Sequence, residues 1–450
     1  MGDPSAVFLA YDIRGLVPEH LDADLARRIG GAFARLVRRR EPDTGRVVLG
    51  RDMRESGVEL AGAFADGVTA EGLNVVDLGL VSTDLLYFAS GHLNAPGAVF
   101  TASHNPAGYN GIKLCLSAAR PVGADSGLAE MQADLDGPDT GGGAVGATTP
   151  LDLLDAFTDH VRSFVDAASL APLKVVADTA NGMGGLVVPA VFAGLPFDLE
   201  VMYADLDGTF PNHPADPLQS ANLVALQERV LATGADIGLA FDGDADRVFL
   251  VDEQARPVSG SLTTALVAST VLGHQPGATV IHNLICSRTV PEAIAEHGGR
   301  AVRSRVGHSY IKELMATEGA AFAGEHSGHY YFADNYRADS GLIAALLVLE
   351  ALSTSGGTLS DLLAPFDRYA ASGEVNFSVD DPAAVVERVS LAYAATGTQD
   401  TLDGLTVDMG TWWFNLRPSN TEPLLRLNLE AAGADACTAR LAEVSALITQ

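Results

Sequence analysis

The chain has 450 residues, with 28 Lys and Arg against 57 Asp and Glu for a formal charge of −29, and 47% of it is hydrophobic. At roughly 100–200 residues per domain this supports about three or four cores, which excludes a short disordered or disulfide-stapled protein. So acidic a surface repels nucleic acid and anionic membranes, and an enzyme of this composition acting on a small phosphorylated molecule must gather its few cations locally.

The N-terminal MGDPSAVFLAYDIRG puts Asp3 and Pro4 where a secretory signal carries positive charge, so a cytoplasmic protein is expected. YDIRG (Tyr11–Gly15) sets Arg14 early in the chain, where the ordinary reading is a surface salt bridge worth no more than ~1 kcal/mol. Apolar β-rich runs then alternate with helical patterns, the signature of βαβ units. The first part predicts strands at Arg46–Asp52, Leu73–Leu78 and Gly97–Thr101, separated by helices over Gly57–Glu71 and Thr83–Gly91. Its third strand runs into TASHNPAGYNGIK (Thr101–Lys113), predicted as a loop that carries Ser103, His104, Asn105 and Lys113. Ser103 is there either a nucleophile able to hold a covalent intermediate or a turn residue bonding nearby backbone. It does not sit in a Gly-x-Ser-x-Gly elbow, and an adjacent Ser–His pair does not build a hydrolase triad. The Gly-rich stretch Gly137–Pro150 is predicted as a linker.

The second part repeats the pattern with strands in Lys174–Gly182, Leu199–Asp205 and Ala235–Phe241, the last running into DGDADR (Asp242–Arg247). Three alternating carboxylates, Asp242, Asp244 and Asp246, repel one another unless a hard cation sits among them, and oxygen ligation favours Mg²⁺ or Ca²⁺. The competing EF-hand reading has Glu253 at position twelve but fails at position six, where Arg247 stands instead of Gly. VFLVDE also reads as a strand. Arg247 beside a metal suits an anionic ligand, and a solvated acidic turn is the plain alternative.

The third part places strands in Thr279–Ser287, Arg300–Gly307 and Ala320–Glu325, the last running into GEHSGH (Gly324–His329). Glu325, His326, Ser327 and His329 suit recognition of a polyol, His-x-x-His invites a zinc reading that lacks partner ligands, and a plain turn remains open. In VGHSYIK (Val306–Lys312), His308 is ordinarily a satisfied structural histidine. The apolar run Gly341–Leu349 falls far short of the ~18 residues a membrane span needs.

The fourth part breaks the rhythm with GEVNFSVDD, a helix near Pro382–Ala394, a WWFNL strand and a final Ala-rich helix, which reads as a smaller α+β domain. RPSNTEP (Arg417–Pro423) offers Arg417, Ser419, Asn420 and Thr421, with Arg426 as a second cation, as a phosphate grip or an ordinary capped turn. Lysine occurs only at Lys113, Lys174 and Lys312, two of them beside candidate loops. Cys115, Cys286 and Cys437 form neither a metal pair nor a disulfide framework.

Three units that each end their third strand in a polar, Gly-bearing segment suggest a divergent internal repeat. Ligands of open α/β sheets bind beyond the carboxyl ends of strands, which would gather these segments around a central cleft. The expected fold is therefore α/β, with three topologically similar α/β/α domains of mixed sheets and a C-terminal α+β domain. The expected borders are 1–148, 149–253, 254–367 and 368–450.

Taken in order, YDIRG, TASHNP, DGDADR, GEHSGH and RPSNTEP resemble the α-D-phosphohexomutase family, in particular its bacterial phosphomannomutase/phosphoglucomutase branch. The resemblance implies interconversion of a hexose 1-phosphate and 6-phosphate, of mannose and also of glucose, through a hexose 1,6-bisphosphate. Amino-sugar phosphates and silent sugar-phosphate or metal binding are the remoter alternatives. Ser103 would be the phosphoserine, and Mg²⁺ would be held by Asp242, Asp244 and Asp246 with a phosphoserine oxygen. Lys113, Arg14 and His329, in that order, would move or support the proton, with His104 and Arg247 beside the reacting group. Tyr11, Gly307, His308, Glu325 and Ser327 would touch the sugar phosphate. Arg417, Ser419, Asn420, Thr421 and Arg426 would hold the phosphate that is not reacting. The implied protein is a monomer or homodimer whose partners are hexose phosphates. Many relatives carry Met where His326 stands, and Ile285 lies where some dual-specificity members carry a basic residue.

Overall fold

The computed structural model describes residues 4–137, 144–418 and 424–450. Two compact units divide the chain, Met1–Ser259 with Ser327–Leu362, and Gly260–His326 with Leu363–Gln450.

In the first unit one sheet runs Thr148–Pro150, Asn74–Leu80, Arg46–Arg51, Gly97–Phe100, Tyr109–Leu116, Ile13–Leu16. The first four strands are parallel and the last two antiparallel. Val47, Leu49, Val75, Ala98 and Phe100 pack against Ile29, Phe33, Phe64 and Val68 of the helices Ala23–Arg40 and Ser56–Ala70. These two helices approach so closely that a Cβ on Gly30 would come within 2.2 Å of Phe64 O. Two sequence expectations change here. Lys113 belongs to the strand Tyr109–Leu116 and not to a loop, because Val99–Lys113 pairing extends the sheet past the TASHNP turn. The predicted linker ends in the short strand Thr148–Pro150, which finds Val75–Asp77 as an edge to pair with.

The second sheet, Asp198–Met202, Lys174–Asp178, Ile237–Phe241, Val248–Asp252, Pro257–Val258, repeats this scheme, three parallel strands followed by antiparallel ones. Glu253, the twelfth residue of the would-be calcium loop, instead accepts from Ser360 N at 3.1 Å and from Ser360 Oγ at 2.5 Å. A hairpin of Tyr330–Phe332 and Ala338–Asp339 precedes the helix Gly341–Ser355. That helix contains the longest apolar run, yet among the described residues no helix is long and apolar enough to cross a membrane.

In the second unit, Arg300–Ser304, Thr279–Asn283 and Phe322–Gly324 form the same parallel order a third time. The repeat suggested by the sequence is thus topological. The C-terminal sheet is wholly antiparallel, Ala370–Phe377, Leu425–Ala431, Trp412–Pro418, Leu405–Asp408, Thr398–Asp400. Period-two alternation sends Trp412, Phe414 and Leu416 into a core with Val385, Val389, Val444 and Ile448 of two helices. Trp413, Asn415 and Arg417 take the opposite face.

Candidate active site

Strand ends bring two of the candidate segments together in the first unit. The chain leaves Gly97–Phe100 through Thr101, whose Oγ1 accepts from Ser103 N at 2.9 Å. Ser103 is buried and left-handed, with φ 48°. Its Oγ donates to Asp242 Oδ2 at 2.7 Å, at the end of the strand Ile237–Phe241. This approach depends on Gly243, where a Cβ would lie 2.4 Å from Ser103 O.

Asp242, Asp244 and Asp246 are buried, and each offers a carboxylate oxygen within 4.8 Å of the others. Lys113 Nζ donates to Asp244 Oδ2 at 2.7 Å and to Asp246 Oδ2 at 2.6 Å. Arg247 Nε donates to Asp242 Oδ2 at 2.9 Å, and its Nη2 lies 3.3 Å from Ser103 Oγ. Burial pushes the Asp242 carboxyl up to about 7 against the pull of Arg247. Burial acts the same way on Asp244, but Lys113 outweighs it and holds that carboxyl below its usual range. The Lys113 ammonium in turn is held well above its ordinary value by Asp244 and Asp246, which overcome its burial. His104 Nδ1 accepts from Arg247 Nη2. Burial, reinforced by Arg247 and Arg14, holds this imidazole well below its ordinary pKa, so it is neutral.

Oxygen-only ligands at this spacing suit a hard divalent cation, and the structure tests the fit through two atoms. Asp244 Oδ1 and Asp246 Oδ1 are buried without a hydrogen-bond partner, which is costly for carboxylate oxygens unless a cation takes them up. The cluster fits such an ion.

The other first-unit candidates surround this centre. Arg14 Nη1 donates to Asn105 Oδ1 at 2.5 Å and its Nη2 pairs with Asp12. The expected surface ion pair is thus part of the Ser103 turn. Tyr11 lies in the bend before Ile13–Leu16, and Ser327 in the turn before the hairpin, both half-buried. His329 bridges Arg247 through the backbone, and its Nδ1–H donates to Asp339 Oδ2 at 2.8 Å. The same Nδ1 is 3.9 Å from Asp246 Oδ1.

In the second unit, Gly307 has φ 128° and caps the helix His308–Glu318, placing His308 in its first turn. Glu325 is buried beyond Phe322–Gly324 and accepts from Asn283 Nδ2 at 3.1 Å. Arg417 and Arg426 oppose each other across adjacent strands. Glu374 lies 3.6 Å from Arg417 Nη2 and 3.4 Å from Arg426 Nη1. Ser419, Asn420 and Thr421 lie outside the described residues.

Four consecutive matches cover this architecture. Residues 5–133, 155–256 and 259–369 match the phosphoglucomutase/phosphomannomutase alpha/beta/alpha domains I, II and III, and residues 374–447 match the C-terminal domain. The chain belongs to the phosphoglucomutase/phosphomannomutase family. It is 42% identical over 447 residues to a protein named phosphohexose mutases from Xanthomonas campestris pv. campestris, covering 98% of each. It is 40% identical over 439 residues to a phosphomannomutase of Salmonella typhimurium, covering 95% of each. A crystal structure of a phosphoglucomutase/phosphomannomutase family protein from Burkholderia thailandensis superposes with a TM-score of 0.90 at 32% identity, covering 100% of this chain and 98% of that one.

For a family member, the residues that sequence reasoning passed over are mostly those acting through others. Asn283 sits in a run read only as an apolar strand, and Glu374 in a segment read only as a strand, since neither side chain's direction follows from its motif. Asp339 ends the second strand of an ordinary hairpin. Thr83, whose Oγ1 donates to Asp244 Oδ2 at 2.7 Å, starts a helix that was predicted without any reason to look at its first residue. Asp52, read only as the last residue of a strand, and Arg54, not singled out, carry a signal in being charges that follow a buried strand directly.

Proposed function

We propose that this chain is a phosphomannomutase that interconverts mannose 1-phosphate and mannose 6-phosphate, and also acts on glucose phosphates. Phosphoserine at Ser103 would carry the phosphoryl group by way of a hexose 1,6-bisphosphate. The observation that carries the reading is a buried Ser103 Oγ set 2.7 Å from Asp242 Oδ2 and 3.3 Å from Arg247 Nη2, with Lys113 among the same carboxylates. A hydroxyl needs such a setting to become a phosphate ester, and a passive binder does not need the hydroxyl.

In this reading Asp242, Asp244, Asp246 and a phosphoserine oxygen hold Mg²⁺, which when bound would neutralise charge on the transferring group. The chain's own groups do the rest. Phosphoryl transfer needs in-line placement and charge neutralisation more than covalent help. Arg247 and the protonated Lys113 supply cations at the equatorial oxygens. In the forward step the sugar hydroxyl forms a new P–O bond, the bond to Ser103 Oγ breaks, and the hydroxyl proton must leave. His329 suits that task, because the bond from its Nδ1–H to Asp339 fixes the orientation of the ring beside the carboxylates. Lys113, held protonated, serves as a cation here. Arg417 and Arg426, with Ser419, Asn420 and Thr421, grip the phosphate that is not reacting, while Tyr11, Gly307, His308, Glu325 and Ser327 contact the sugar phosphate.

The test is phosphorus NMR of the protein with Mg²⁺, a trace of hexose 1,6-bisphosphate and either mannose 1-phosphate or glucose 1-phosphate. Appearance of the 6-phosphate, abolished in Ser103→Ala, supports the reading, and the ratio of rates sets specificity. Absence of turnover with either sugar would defeat it.

A further inference from the structure

We propose that Arg54 is a positioning residue for phosphoryl transfer, fixing the turn that carries Ser103; the inference rests on the reading of Ser103 as the phosphoryl carrier. Arg54 follows the strand Arg46–Arg51 and is 1% exposed. Its Nη1 donates to Pro106 O and Tyr109 O, both at 2.9 Å, and its Nη2 donates to Ser103 O at 3.0 Å and Asn105 O at 2.7 Å. One planar group therefore gathers three main-chain carbonyls of the Ser103 turn and that of Tyr109, where the next strand begins. Its Nε lies 3.3 Å from Asp52 Oδ2, and Asp52 is itself fixed, accepting from Arg54 N at 2.9 Å through Oδ1. The Phe210 ring closes over the guanidinium at 5.1 Å, and Gly208 leaves room that a Cβ, 2.8 Å from Arg54 Cα, would take away.

Enclosed in this way, the guanidinium makes its contacts with the turn. Its value lies in what the turn must do. Ser103 holds a φ of 48°, a conformation that costs a non-glycine residue of order 1–3 kcal/mol and persists only where the surroundings over-determine it. Arg54 supplies that determination at Ser103 O from one side, and the backbone at Gly243 closes it from the other. With the carbonyl pinned, the Cα–Cβ bond is aimed, and Oγ meets Asp242 and Arg247. Lysine cannot replace this fork, since an ammonium has three donors around one point and no plane.

The experiment compares wild type, Arg54→Lys and Arg54→Met by steady-state kinetics, by the single-turnover rate of Ser103 phosphorylation from hexose 1,6-bisphosphate, and by the phosphorus resonance of the phosphoserine. A misplacement near 1 Å predicts that kcat and the single-turnover rate fall about 100-fold. KM for the sugar phosphate should stay within about threefold, because the phosphate grip is elsewhere. The phosphoserine resonance should shift or broaden. Unchanged single-turnover rates per phosphorylatable site in Arg54→Lys would overturn the proposal, including the case where only thermal stability falls. Should both variants fail to fold, Asp52→Asn keeps the guanidinium and removes its counter-charge. It is expected to lower kcat about 10-fold at constant KM, and wild-type kcat there would equally overturn the idea. If wild type itself takes no phosphoryl group on Ser103, the functional reading fails. Uptake by wild type with unimpaired variants sinks only the role of Arg54.

Discussion

Thr83 holds Asp244 twice, its Oγ1 donating to Asp244 Oδ2 at 2.7 Å and its backbone N–H to Asp244 O at 3.0 Å. Through this pair the first turn of the helix Thr83–Leu93, in the first domain, sets the carboxylate loop of the second. The next residue, Asp84, extends the contact by accepting from Ser340 Oγ at 2.8 Å.

Thr83→Val keeps the side chain's shape and removes the donor. Groups that orient metal ligands typically contribute about 10–100-fold to metal affinity, so Mn²⁺ binding followed by electron paramagnetic resonance should weaken by at least about tenfold. A dissociation constant equal to that of wild type would remove Thr83 from the metal loop's support.

Lys113→Met leaves Asp244 and Asp246 without their shared cation. Breaking a buried, hydrogen-bonded ion pair costs about 3–5 kcal/mol, so the variant should unfold at markedly lower temperature without divalent ion. Saturating Mg²⁺ should raise its melting temperature more than it raises that of wild type, since added charge relieves a larger repulsion. Equal Mg²⁺-induced shifts in the two proteins would show that Lys113 does not balance these carboxylates.

Much of this centre was legible because strand ends announce themselves. ADIGLAF is a buried strand followed at once by three aspartates, and such a run has few physical explanations besides a cation. The parallel pairing of the leading strands was legible too, since alternation of apolar runs with helical periods is the signature of βαβ units. The strand containing Lys113 was missed because Gly108 and Gly111 read as loop punctuation. Gly111 in fact allows a close approach, as a Cβ there would lie 2.4 Å from Ile13 O in the neighbouring antiparallel strand. Arg14, read as a surface charge, turns inward because Asn105 and Asp12 flank it, and neither contact follows from local sequence.

Gly243→Ala tests the closeness of the two loops. The added methyl would sit 2.4 Å from Ser103 O, a backbone atom that cannot rotate away, so the Ser103 turn must move. Displacement of the reacting oxygen by about 1 Å is expected to lower kcat roughly 100-fold while leaving KM nearly unchanged. A crystal structure of the variant with Ser103 in place, or kcat within a few-fold of wild type, would count against this account.

His213 provides a pH test away from the carboxylate cluster. Its Nε2 lies 3.0 Å from Asp178 Oδ2 and its Nδ1 2.9 Å from Pro214 O, so both ring nitrogens face acceptors and the doubly protonated ring satisfies both. Burial alone would lower the pKa, but the hydrogen bond and charge of Asp178 outweigh it and raise the value above the ordinary histidine range. A group whose folded pKa is raised contributes its full stabilisation below the unfolded value of about 6.5. That contribution is lost as pH rises through the folded value. Wild type should therefore exceed His213→Gln in stability most clearly near pH 6, with the gap narrowing above the ordinary histidine range toward about pH 8. Urea denaturation of both proteins across this range measures the gap directly, and a difference that stays flat or widens with pH would show that the imidazolium is not what clasps Asp178.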